Sequence, residues 1–150
     1  MKRTFLCAIA ASAAIVASIA NAATEPVQSS AAQEKMRSDS IKAALARAAG
    51  AKMAVEAYHL SQRAFPSTNA EVNLGAPDTY AGGSLKRLEL QKDGQIQLVL
   101  GPGSGVDEGT IVLSPQPSKQ TDQNTVDWTC VTPSYPGIQE ITGGACVYKK

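Results

Sequence analysis

Between Val27 and Phe65 the chain contains no proline, and apolar residues recur there at steps of three and four. Ile41, Leu45, Ala48, Ala51 (or Lys52), Val55 and Tyr58 fall along one side of an α-helix at that spacing. Ala46, Gly50, Met53, Ala57 and Leu60 form a second apolar line, about a third of a turn round. Lys35, Arg37, Asp39, Lys42, Arg47 and Glu56 are left mostly to the remaining surface. Alanine, the best helix former, is the commonest residue of the stretch. Pro66 stops the pattern, because it lacks an amide hydrogen and pushes Phe65 away from helical dihedrals. Ser29 or Ser30 is placed to cap the start, with Gln33 at the capping-box position relative to Ser30. The pattern predicts a helix from about Ala31 to Gln62, roughly 45–50 Å long at 1.5 Å per residue. Gly50 weakens it locally, which predicts a bend or a close packing contact. So wide an apolar face requires a cover.

The second half of the chain supplies one. Residues 67–83 are turn-rich and show no strand alternation. From Arg87 onward residues alternate, with Leu88 and Leu90 inward and Arg87, Glu89 and Gln91 outward. Asp93-Gly94 is a preferred type I′ hairpin pair, and the chain returns with Ile96, Leu98 and Leu100 on one face. A glycine-rich connection, 101–109, precedes a third strand at 110–114, which Pro115 and Pro117 should end. A fourth, at 126–131, puts Val126, Trp128 and Cys130 on one face. The expectation is an α+β domain, one long helix packed on a four-stranded antiparallel sheet.

At 150 residues the chain suits one domain rather than two. The first 22 residues read as a secretory signal: Lys2 and Arg3, an apolar run from Phe5 to Ile19, and the small-x-small site Ala20-Asn21-Ala22. The run is thin for a membrane span, which needs about 20 residues. Cys7 lies too early for lipid attachment, and Leu6 is the wrong residue before a lipobox cysteine, so Cys7 should leave with the leader. Residues 23–30 then form a flexible lead-in, and 31–150 the globular domain. Fourteen basic and thirteen acidic residues give a formal +1; losing Lys2 and Arg3 leaves 12 − 13 = −1. No basic surplus argues for nucleic acid, and no acidic run argues for a tail.

Three segments taken in order resemble the type IV pilin family: Gly50-Ala-Lys-Met-Ala-Val-Glu-Ala-Tyr58, then Arg63-Ala-Phe-Pro-Ser-Thr-Asn69-Ala-Glu, then Leu74-Gly-Ala-Pro77. In that family a helix with an A-K-x-A-V-x-x-Y core ends at F-P-S-x-N-A, and a four-stranded sheet and a disulfide-closed C-terminal loop follow. The chain departs from the family at its front. A pilin precursor is processed at a Gly followed by Phe or Met, and its apolar half-helix holds a glutamate at position five. Here the first glycine is Gly50 and the first glutamate is Glu25, outside the apolar run. The resemblance therefore implies the soluble head of a pilin, exported by an ordinary signal peptide to the periplasm or cell exterior, without the filament-forming half-helix.

Cys130 and Cys146 are the cysteines left after the leader, and an exported chain meets oxidising conditions. A structural disulfide is expected. A redox or metal pair is the alternative, but fifteen intervening residues lack the close spacing such sites use. The closed loop resembles the pilin loop that displays receptor-binding or antigenic surface. His59, the only histidine, stands beside Tyr58 near the helix end and suits packing or capping better than catalysis. No serine or cysteine nucleophile has a second histidine to draw on, and no paired carboxylates stand out. Asp107-Glu108 reads as solvated turn charge, with a weak cation site as the alternative. Gly101, Gly103 and Gly105 follow a strand but open no helix, so they are a linker rather than a phosphate cradle. Lys35, Lys42 and Arg47 could touch DNA phosphates, although Glu34, Asp39 and Glu56 are interleaved with them.

No catalytic residue, cofactor or metal follows from these readings. The resemblance implies a non-enzymatic protein acting at the cell surface in type IV pilus association, adhesion, or modulation of pilus assembly. Its partners would be pilin subunits or other pilus components, or a host or cell-surface receptor, met through the 67–83 loop, the 131–145 loop and the exposed helix. Neither a nucleic-acid partner nor a stable membrane anchor is expected. The alternative is a free periplasmic binding module for DNA or glycan on a pilin fold.

Overall fold

The computed structural model describes residues 26–119 and 125–150. The 1–22 signal and its cleavage site lie outside these residues. The long helix, α1, spans Pro26–Gln62 and begins five residues before the expected start. Proline is accommodated at a first helical position because the N–H it lacks would have no partner within the helix. Ser30 consequently lies inside α1 instead of capping it, and residues 26–30 are helical, not a flexible lead-in. At 1.5 Å per residue its 37 residues extend about 55 Å. Arg63 turns left-handed at φ 55°, and its N–H donates to the carbonyl of His59 at 2.9 Å, closing the last turn before Phe65-Pro66.

Among the described residues five strands form one sheet in chain order: β1 (Leu85–Leu90), β2 (Ile96–Leu100), β3 (Gly109–Pro117), β4 (Val126–Thr132) and β5 (Val147–Tyr148). The first four are antiparallel, whereas β5 lies parallel to β4 with Val131 opposite Val147. A short helix, α2, spans Ile138–Thr142 between β4 and β5. The two-residue fifth strand is an addition to the expected four; it follows Cys146 directly, and the bond from Cys130 to Cys146 brings it beside β4. β3 also continues through both prolines. Two residues apart, Pro115 and Pro117 direct their N-substituted edge the same way, and β2 ends its pairing opposite Leu113. Beyond that point one edge of β3 has no ladder to interrupt.

The core lies between α1 and the sheet. Ile41, Ala44, Ala48, Ala51 and Val55 meet Leu88, Leu90, Ile96, Leu98, Leu100 and Ile111, all buried. Three alanines on this face let α1 sit close to the sheet, whose leucines and isoleucines fill the layer. Leu45 and Tyr58 are half-buried, and Ala44 and His59 join the buried face beyond the expected set. The second apolar line is different: Ala46, Gly50, Met53, Ala57 and Leu60 are all exposed, Met53 to 70%. The sheet thus covers one line of the helix and leaves the other uncovered. At Gly50 nothing lies within 4 Å of the Cβ position, so the expected close contact is not made there.

Two residues after α1 lock the helix end to the first hairpin. Asn69 Nδ2 donates to Gly75 O (2.8 Å) and Leu88 O (3.2 Å), while its Oδ1 accepts from Leu90 N at 2.7 Å. The side-chain amide therefore acts as an extra strand residue beside β1. Gly94 N donates to Pro66 O at 2.8 Å, with φ at 71°, and a Cβ there would press on Phe65 and Pro115 at 3.0–3.1 Å. The Asp93-Gly94 turn needs positive φ at both positions and a bare second residue.

Candidate functional site

The C-terminal loop is held from several sides at once. The disulfide of Cys130 and Cys146, with Cα atoms 4.5 Å apart, closes residues 131–145. Pro and Gly are frequent in the loop, yet Tyr135 and Ile138 within it are completely buried. The Tyr135 hydroxyl lies 2.7 Å from Ser104 Oγ, which also donates to Gly101 O at 2.7 Å. Gly109 faces the same ring, and any Cβ there would collide with the phenol oxygen. Burial raises the Tyr135 pKa above its ordinary value; the Ser104 hydrogen bond and the Arg37 charge pull it back less.

Four more contacts complete the tether. Thr132 Oγ1 donates to Thr110 O at 2.5 Å and accepts from Ser134 N at 3.0 Å. Thr110 N donates to Ser134 Oγ at 3.0 Å. From the helix, Arg37 Nη2 donates to Pro136 O at 2.9 Å. The loop is therefore fixed from the sheet, from the 101–109 connection and from α1. What remains outward is Pro133, Pro136, Gly137, Gln139, Glu140 and the 143–145 turn, a polar and turn surface. An open cleft of about 320 Å³ between this surface and α1 is lined by Glu34, Arg37, Lys42, Glu140 and Ile141. Its charges are mixed, so it favours no one sign of ligand.

The 67–83 loop is built from two 3₁₀ turns, Asn69–Val72 and Pro77–Tyr80. Tyr80 OH accepts from Gly75 N at 3.3 Å, and Arg47 Nη1 donates to Tyr80 O at 3.3 Å. This loop and the disulfide loop are both anchored to α1, the first through Arg47 and the second through Arg37.

The other residues singled out in the sequence are dispersed. His59 stacks on Phe65 with ring centroids 4.3 Å apart and is buried, a packing residue. Asp107 and Glu108 both bind Lys86 at 2.6 Å, and Glu108 reaches Arg87 at 3.3 Å. Hydrogen bonds from Lys86 hold both carboxyls below their usual values, and the same bonds, Asp107 first, raise Lys86. The connection containing Gly101, Gly103 and Gly105 forms a 3₁₀ turn, Pro102–Ser104, packed on α1. Lys35 pairs with Asp39 at 2.6 Å on the exposed helix, which offsets one of the three basic residues singled out there. Among the described residues no group of three His, Cys, Asp or Glu is placed to hold a metal. No helix among them is long and apolar enough to cross a membrane.

Sequence reading missed Ser104, Tyr135 and Arg37 as a unit, and the bond from Trp128 Nε1 to Glu56 Oε1 (2.7 Å) that ties β4 to α1. One signal was present: Tyr135 is a lone large aromatic in a Pro/Gly-rich loop, where a ring is stable only if the core receives it.

A family model described as Pilin (bacterial filament) matches residues 37–142, from a third of the way along α1 to the end of α2. No curated protein matches the chain.

Proposed function

Because the chain belongs to the pilin family of bacterial filament proteins, we propose that it is a secreted, non-enzymatic pilin-like head that associates with type IV pili. Its work is cell adhesion or the modulation of pilus assembly, done by surface recognition. The observation that carries this reading is the way two surface loops are held on one scaffold. Residues 131–145 are closed by Cys130–Cys146 and pinned by Tyr135 and Arg37, and residues 67–83 are pinned by Asn69 and Arg47. Loops fixed in this way present a constant shape at low ordering cost on binding. Their composition, rich in Gly, Thr and Pro with Glu71, Asp78 and Glu140 as the charged residues, suits recognition by shape and hydrogen bonds rather than by a strong field.

Export is part of the proposal. Residues 1–22 direct the chain to the periplasm or beyond, with cleavage after Ala22, and the oxidising compartment forms the disulfide. N-terminal sequencing of the exported protein should begin at Ala23; a start within the apolar run contradicts this.

The reading is tested by shearing pili from cells that express the chain and separating filaments from free protein. The chain should sediment with pili, and not with material from cells lacking pilus assembly genes. Equal recovery from both strains overturns pilus association and favours a free binding module for DNA or glycan.

A further inference from the structure

Ala43, Ala46, Gly50, Met53, Ala57 and Leu60 are exposed and recur at alternating steps of three and four. Met36 continues the series, with Asp39 filling the place between, and Met36 and Leu60 are 59% and 46% exposed. A strict seven-residue repeat drifts slowly round a straight helix, the pattern that suits a second helix crossing at about 20°. Met36, Met53 and Leu60 stand out along it, and Ala43, Ala46, Gly50 and Ala57 leave room between them, so it is a seam of knobs and gaps.

We propose that this face self-associates: α1 of a second copy docks on it antiparallel, across a two-fold axis. The register follows from size and charge. Met53 lies over Ala43 of the second copy, Gly50 against Ala46 of the second copy, and Leu60 against Met36 of the second copy. Each Met53 then meets a methyl group, and the central Gly50 and Ala46 let the two backbones approach. The same register sets Lys42 beside Glu56 of the second copy, twice by symmetry. Asp39, which enters the seam, is neutralised by its own Lys35 at 2.6 Å. Arg47 of the two copies approach near the axis, but each is drawn aside by its bond to Tyr80 O. A parallel pair instead stacks Asp39 on Asp39, Met53 on Met53, and Lys42 beside Arg47.

The contact from Met36 to Leu60 is about 36 Å long and some 10 Å wide, roughly 350–400 Å² per copy, half of what stable complexes bury. The dimer is therefore weak and reversible. Because one patch serves both copies, it closes at two and cannot propagate as a filament. It stands apart from pilus association, since purified protein alone displays it.

Sedimentation of the purified chain from about 10 µM to 1 mM should show a shift from one to two chain masses. Met53→Lys should abolish the shift while leaving the circular dichroism and melting temperature unchanged, because residue 53 is exposed. Orientation is read by cross-linking in the exported chain, where Cys130 and Cys146 are bonded to each other. Ala43→Cys mixed with Met53→Cys should form linked dimers, and neither alone should, since the antiparallel register parts like positions by about 15 Å. A chain monomeric at 1 mM, a dimer that survives Met53→Lys, growth beyond two copies, or ready self-linking of Met53→Cys each overturns the proposal.

Discussion

The Tyr135 hydroxyl and Ser104 Oγ lie 2.7 Å apart, both side chains fully buried, and join the disulfide loop to the connection between β2 and β3. Two segments rich in glycine and proline, neither stable alone, thus meet through one ring and one hydroxyl. The disulfide sets how far the loop can travel, and Tyr135 sets where it sits.

Tyr135→Phe keeps the ring and leaves Ser104 its bond to Gly101 O, so the expected cost is about 1 kcal/mol. Tyr135→Ala empties a fully buried site, at about 3–5 kcal/mol. Urea unfolding of both variants checks the order. Equal costs would mean that the hydroxyl, not the ring, anchors the loop.

Tyr135 also predicts an alkaline limit. Its folded pKa is raised, chiefly by burial, so the neutral phenol is the form that fits the core. This contribution is complete below the unfolded value of about 10 and is lost as pH rises through the folded value. Unfolding free energy measured from pH 9 to 12 should fall more steeply for the native chain than for Tyr135→Phe. Parallel curves would contradict the assignment.

Replacing Cys130 and Cys146 by Ser should cost about 3 kcal/mol in the chain-entropy account. Hydrogen exchange should quicken first in residues 131–145 and in β5, whose pairing with β4 depends on the bond, while α1 stays protected. Uniform loss of protection across α1 would show that the disulfide holds the whole domain.

Much of the fold was legible in the sequence, for physical reasons that differ by element. The α1 stop, the β1–β2 hairpin and the buried face through Ile41, Ala48 and Val55 follow from local rules: proline chemistry, positive-φ turns, periodicity. The start of α1 was misplaced because Pro26 is compatible with a first turn, whereas Ser30 looked like a cap. β3 was cut short because prolines end most strands, and whether one does here depends on which edge has a neighbour. The disulfide pair was readable by counting. The anchor of Tyr135 on Ser104, 31 residues apart, was not, since nothing local pairs a loop tyrosine with a distant serine. Two apolar lines were visible on α1, but sequence could not say that the sheet covers one alone.

The central claim is that the chain recognises a pilus by the shape of its fixed loops, and a salt titration tests it most directly. Purified chain is incubated with sheared type IV pili and, in parallel, with duplex DNA, from about 50 to 500 mM salt. Contacts of shape and hydrogen bonding are weakly screened, whereas DNA affinity falls by orders of magnitude over such a range as counterions are released. Binding to pili should persist at the upper end, with DNA retained weakly at low salt and not near physiological strength. Tight, salt-sensitive DNA binding that charge reversal at Lys35, Lys42 and Arg47 removes, with no capture by pili, would contradict the account.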